Sequence, residues 1–142
     1  MKNIEEVILF QIDRTSKAAK LYSQKEFDSQ NLPITVEQWI LLKIIHENEN
    51  ISQKQLAELS LRDPAAITRT LDLLEKKGLL ERHAVPNNRR QYHIRLTANG
   101  SEYIDEHLPR ITAQRKKSVD GLTKTEQSQL LSMLLKIQKN LE

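Results

Sequence analysis

Along most of the chain, apolar residues recur every three or four positions, the spacing of a helix buried on one side. Between residues 4 and 27 they fall at Ile4, Val7, Ile8, Ile12, Ala19 and Tyr22. This predicts a long first helix that ends near Asn31-Leu32-Pro33. Thr35-Val36-Glu37-Gln38 then reads as a capping box, with Ile34 and Trp39 spaced as a hydrophobic staple, and starts a helix that reaches about His46. Ser52-Gln53-Lys54-Gln55 repeats the device, with Ile51 and Leu56 as its staple, for a short helix that stops near Ser60. Asp63-Pro64 supplies an N-cap followed by proline at the first helical position, so a fourth helix runs from Pro64 to Lys77 and is ended by Gly78. Beyond Gly78 the period drops to two: Tyr92, Ile94 and Leu96 alternate with Gln91, His93 and Arg95. Leu79–Val85 and Gln91–Leu96 are the expected strands, joined by a turn over Pro86-Asn87-Asn88-Arg89. Thr97 caps a helix from Ala98 to about Val119, which Pro109 should kink. A third box, Thr123-Lys124-Thr125-Glu126, opens a last helix striped by Leu130, Met133, Leu134, Ile137 and Leu141.

The expected order is therefore α-α-α-α-β-β-α-α: a mainly α chain with a small β-hairpin wing. Two helices separated by a few residues and followed at once by a hairpin make a winged helix-turn-helix over residues 34–97. Long helical segments over 1–33 and 98–142 flank it within one fused domain. Hydrophobic residues form 38% of the chain, against roughly 45–50% in an ordinary globular domain. So thin an apolar supply suits an elongated helical shape whose core is completed by dimerisation.

Charge adds a direction to this outline. The net charge is only +3, but from Arg82 to Arg95 there are four arginines and no acid. On the Pro64–Lys77 helix, Ile67, Leu71 and Leu74 share the core side. The opposite face carries Ala65, Arg69, Asp72 and Lys76, with Ala66 and Thr68 towards its margin. Small residues let a helix approach base edges. Arginine pairs with guanine, and an alanine or threonine methyl touches the thymine methyl. The start of the preceding helix, Ser52, Gln53 and Lys54, offers open backbone N–H groups and a cation to phosphate. Arg89 and Arg90 at the hairpin tip suit a narrow minor groove.

Other chemistry finds little support. With no cysteine, disulfides, thiolate zinc sites and thiol redox sensing are excluded. The four histidines, His46, His83, His93 and His107, form no pair at helical i, i+4 spacing. His83 and His93 alone would make a poor zinc site, and no metal or other cofactor is expected. No phosphate loop, H-E-x-x-H or G-x-S-x-G is present, so no enzyme is expected. No apolar run approaches a membrane span, and no signal-peptide core is evident. The expectation is a soluble, cytoplasmic protein.

Several of these residues together resemble the MarR family of winged-helix transcription factors. The likeness is carried by Thr35…Gln38-Trp39, Ser52-Gln53…Leu56-Ala57, Thr68-Arg69…Leu71…Leu74-Glu75-Lys76-Lys77-Gly78-Leu79, Pro86…Arg89-Arg90 and Leu96-Thr97…Gly100. The family's wing usually reads Asp-Pro-x-Asp-Arg-Arg; here it is Val85-Pro86-Asn87-Asn88-Arg89-Arg90, without either acid. The resemblance implies a homodimer interlocked through its terminal helices. Two recognition helices would then read double-stranded DNA at pseudo-palindromic half-sites about 10 bp apart. It also implies a repressor released by a small, often aromatic ligand. Phe10, Ile12, Tyr22 and Trp39 are candidates for the ligand pocket, with ordinary core residues the favoured reading. The alternative function is a winged-helix ligand-binding or protein-interaction module without specific DNA readout.

Overall fold

The three capping boxes read from the sequence are formed, and they fix where the helices begin. A computed structural model describes residues 3–142, the Arg89 side chain excepted. In it Thr35 Oγ1 accepts the Gln38 N–H at 3.2 Å, and Gln38 Oε1 accepts the Thr35 N–H at 3.1 Å. Ser52 and Gln55 exchange the same two bonds at 3.0 Å each, and Thr123 and Glu126 at 3.1 and 2.9 Å. Each box satisfies donors that a helix end would otherwise leave open. After a short 3-10 turn the helices are α1 (Ile8–Ser29), α2 (Val36–Glu47), α3 (Gln53–Ser60), α4 (Pro64–Lys76), α5 (Ala98–Ser118) and α6 (Lys124–Asn140). α5 runs through Pro109, the position expected to kink it, over nearly the span expected.

Two compact units emerge, one ending at Pro109 and the other spanning Arg110–Glu142. The first holds α1 to α4, the sheet and the first half of α5. Its core gathers Phe27 from α1, Trp39, Leu41, Leu42 and Ile45 from α2, Leu56 from α3, and Ile67, Leu71 and Leu74 from α4. Leu80, Ile94 and Ile104 complete it from the sheet and α5. In the second unit α6 carries the expected apolar stripe, yet no residue of α6 is buried.

The sheet departs from expectation twice. The hairpin strands are β2 (Leu80–Val85) and β3 (Asn88–Leu96), so the turn is only Pro86-Asn87, with Asn87 at φ +68°. Pairing runs regularly from Leu80 opposite Leu96 to Ala84 opposite Tyr92, then jumps to Val85 opposite Asn88. Arg89, Arg90 and Gln91 are the extra residues that this bulge absorbs. Asn-Asn-Arg-Arg is turn-like in composition, but a bulge accommodates surplus polar residues while the strand continues, and re-aims them. The second departure is an additional strand, β1 (Ile51–Ser52), antiparallel to β3 with Ile51 opposite Ile94 and Ser52 opposite His93, giving the order β1-β3-β2. Two residues are too few to display a period. Through them the start of α3 is tied to the wing.

The ends of α3 and α4 matter most for the site. At α4 the Leu79 N–H bonds Leu74 O at 3.1 Å and the Gly78 N–H bonds Glu75 O at 2.9 Å, with Gly78 at φ +74°. This is the Schellman termination expected of glycine at that position. At α3 the same bonds form from Arg62 to Ala57 and from Leu61 to Glu58, but the left-handed residue is Leu61, φ +52°. A non-glycine residue there costs about 1–2 kcal/mol.

Candidate nucleic-acid interface

On α4 the hydrophobic face is complete: Ile67, Leu71 and Leu74 are at most 1% exposed. This turns Ala65, Thr68, Arg69 and Lys76 to solvent, with Ala66 half-buried beside them. Asp63 fixes the beginning of the helix by accepting the Ala66 N–H at 3.1 Å, ahead of Pro64. Ala65, Thr68 and Arg69 thus share an exposed side at the start of α4, with Ala66 beside them and Lys76 at the far end of the helix.

Three of the sequence candidates, Thr68, Gln53 and Ser52, have polar groups engaged within the fold. The Thr68 hydroxyl donates to Pro64 O at 3.1 Å and accepts from Gln53 Nε2 at 2.8 Å. Its methyl group is what remains for an outside contact. The bond from Gln53 joins the first residue of α3 to the exposed face of α4. Ser52 is committed to its capping box. The first-turn N–H groups of Gln53 and Lys54 have no intrahelical acceptor, and Lys54 is exposed beside them.

The wing completes the concavity. A groove of about 440 Å³ is lined by Gln53, Lys54, Pro64, Ile67, Arg90 and Tyr92, among others. It brings together the starts of α3 and α4 and the bulged part of β3. The Arg89 side chain lies outside the described residues. Asn88 Oδ1 accepts the Arg90 N–H at 3.1 Å. The amide therefore orders the backbone of the wing at a position where an acid was expected.

Charge is partitioned across this surface. Arg82 Nη2 bonds Asp72 Oδ1 at 2.6 Å and Glu75 Oε1 at 3.0 Å, and the Arg82 N–H bonds Glu75 Oε2 at 3.1 Å. Its hydrogen bonds to Glu75 hold that carboxyl below its ordinary 4.5. Arg95 donates to Asn50 Oδ1. Two of the four arginines in the basic run are thus engaged within the fold. Among the described residues Lys54, Arg69, Lys76 and Arg90 hold no ion pair. Arg82 pairs with both acids on α4 and offsets part of their charge beside the cations that face outward. Sequence reasoning missed this role, although an arginine shortly after a helix bearing acids at i and i+3 is a usable signal. Replacing Arg82 by Ala is expected to cost about 1 kcal/mol, the scale of a partly exposed ion-pair network. It should read out as a lower denaturation midpoint with an unchanged slope. That loss should shrink as pH falls through the depressed carboxyl value of Glu75, because protonated acids no longer need the cation.

The remaining candidates sit elsewhere. Trp39 is a core residue of α2, 2% exposed, and its indole Nε1 is buried without a hydrogen-bond partner. Phe10, Ile12 and Tyr22 are half-buried along α1. His83 and His93 stand opposite each other on β2 and β3, and His83 Nε2 lies 3.0 Å from Glu81 Oε2. Among the described residues no group of three or more His, Cys, Asp or Glu side chains is placed to hold a metal, and no helix is long and apolar enough to cross a membrane.

Residues 34–92, from the staple ahead of α2 to the middle of β3, match the model of the MarR family. The winged helix of this chain is similar to that of the MarR family. Solved structures extend the likeness over the terminal helices. A MarR/EmrR family transcriptional regulator from Acinetobacter sp. ADP1 superimposes with a TM-score of 0.88 at 23% identity, covering 99% of this chain and 98% of that one. The transcriptional regulator SlyA gives 0.82 at 28% identity, over 94% and 93%. A MarR variant from E. coli, solved in complex with operator DNA, gives 0.81 at 25% identity, over 96% and 99%. By their order and spacing, α3 and α4 form a helix-turn-helix and β2–β3 the wing that follows it.

Proposed function

We propose that the chain is a sequence-specific, dimeric DNA-binding transcription regulator of the MarR type, a cytoplasmic repressor released by a small ligand. The observation that carries the DNA assignment is the exposed start of α4. There Ala65, Ala66 and the Thr68 methyl flank Arg69, and the unpaired cations Lys54 and Arg90 line the adjoining groove. Small residues permit close approach to the major groove, and arginine reads guanine. The E. coli MarR variant bound to operator DNA supports the same assignment. The proposed activity is binding, with no catalytic step.

Dimerisation through residues 1–33 and 98–142 is supported by apolar side chains left in solvent on both terminal helices. On α1 these include Ile8 (67% exposed) and Leu21 (69%), and on α6 Leu131 (59%) and Leu135 (54%). Apolar surface of this kind calls for a partner. The bound DNA would be a pseudo-palindrome with half-sites about one turn apart.

Selection of bound duplexes from a random pool tests the function directly. Enrichment of an inverted repeat is the expected result, and a pool that stays random would favour a winged-helix module without specific readout. Adding small aromatic acids to the selected complex tests release. The wing is checked by replacing Arg89 and Arg90 together with Ala. Contacts to phosphate or to the charge of the minor groove release counterions, so the slope of log K against log salt should flatten by about 1–2. An unchanged slope would place the wing off the DNA.

A further inference from the structure

The turn that launches α4 is held by charge where packing is missing. It consists of Leu61, Arg62 and Asp63. Leu61 is in the left-handed region, φ +52°, and its side chain is 90% exposed, so apart from its N–H bond to Glu58 O at 3.4 Å no contact of its own secures that conformation. Strained residues persist only where their surroundings over-determine them. Here the surroundings are the bonds of Arg62. Its N–H bonds Ala57 O at 3.3 Å, Nη1 bonds Ser60 O at 3.0 Å, and Nε bonds Glu37 Oε2 on α2. The other oxygen of Glu37 holds Lys20 of α1 at 2.6 Å. The triad itself lines a groove of about 470 Å³, together with Leu41, Ala66 and Thr70 among others. Side chains therefore do not fill this corner between α2 and α4, and the ion pair spans it. One residue beyond Arg62, Asp63 caps the recognition helix.

We propose that Glu37 is a positioning residue for DNA readout: through Arg62 it sets the start of α4 against α1 and α2. The proposal rests on the DNA-binding reading for its consequence, but not for its geometry. Glu37 never faces the groove that carries Lys54 and Arg90, and acts through a residue that does not read bases.

The test uses the full chain with Glu37→Gln, Arg62→Gln and the double variant. Amide hydrogen exchange on the free proteins should quicken at Ala66–Thr70 relative to Leu71–Leu74 in every variant. Affinity for a selected duplex should drop about tenfold, within the range of couplings between sites, while affinity for random duplex stays level. The double variant should lose no more than either single one, because both remove the same link. Exchange that stays uniform along α4 would overturn the proposal, as would equal losses on selected and random DNA. A wild type that prefers no sequence would instead remove the regulator reading, and the exchange measurement would still decide the role of Glu37.

Discussion

Replacing Gly100 by Ala is expected to destabilise the protein by about 3 kcal/mol or more, the upper end of overpacking effects. Gly100 is buried in the first turn of α5, and a Cβ built there would lie 2.0 Å from the carbonyl oxygen of Leu79. That oxygen cannot retreat freely, because it accepts the Thr97 N–H at 3.1 Å. Thr97 Oγ1 in turn donates to Gly78 O and accepts the Gly100 N–H at 3.0 Å. The clash sets a Cβ, whose position the backbone fixes, against a backbone carbonyl, so no rotamer change relieves it. Either α5 shifts off the end of α4, or the Thr97 cap is given up. Gly78 makes the internal control. No atom lies within 4 Å of its Cβ position, and the cost of Ala there is the left-handed backbone alone, φ +74°, about 1 kcal/mol. Urea denaturation of both variants checks the contrast. Equal midpoints would show that the approach of Leu79 is not the constraint.

These two glycines mark how far the fold is legible in the chain. Both are visible as punctuation between elements, and Gly78 does what a helix-ending glycine usually does. Nothing in the local pattern says that Gly100 is a packing requirement, since its neighbour Leu79 is brought to it by the whole wing. The same division runs through the site. Capping boxes at Thr35, Ser52 and Thr123 are local, involve side chains three residues apart, and were readable in full. The core side of α4 was readable because one face of a helix is fixed by a 3.6-residue period. What escaped depends on partners far along the chain. The local pattern shows no partner for Thr68 or Arg82, yet Gln53 reaches Thr68 from α3, and Asp72 and Glu75 on α4 meet Arg82. β1 exists because β3 lies beside it.

Against that background, Arg69→Ala is expected to weaken binding to the selected duplex by about 1–3 kcal/mol, the worth of a good bidentate base contact. At about 1.4 kcal/mol per factor of ten, this is a large loss for one exposed side chain. Arg69 is solvent-exposed, makes no ion pair among the described residues, and stands one turn after Ala65 on the same face. Removing it should therefore leave the denaturation midpoint unchanged, unlike Arg82→Ala, which breaks a network inside the fold. The loss should also concentrate at one base pair. In a panel of half-site variants, wild type should discriminate there and Arg69→Ala should not, with discrimination elsewhere preserved. Lys54→Ala is the contrasting case, because a phosphate contact lowers affinity for all sequences alike. If Arg69→Ala weakens selected and random duplexes by the same factor, the arginine serves the backbone. Base readout would then have to come from Ala65, Ala66 and the Thr68 methyl alone, which can recognise thymine but supply no donor for guanine.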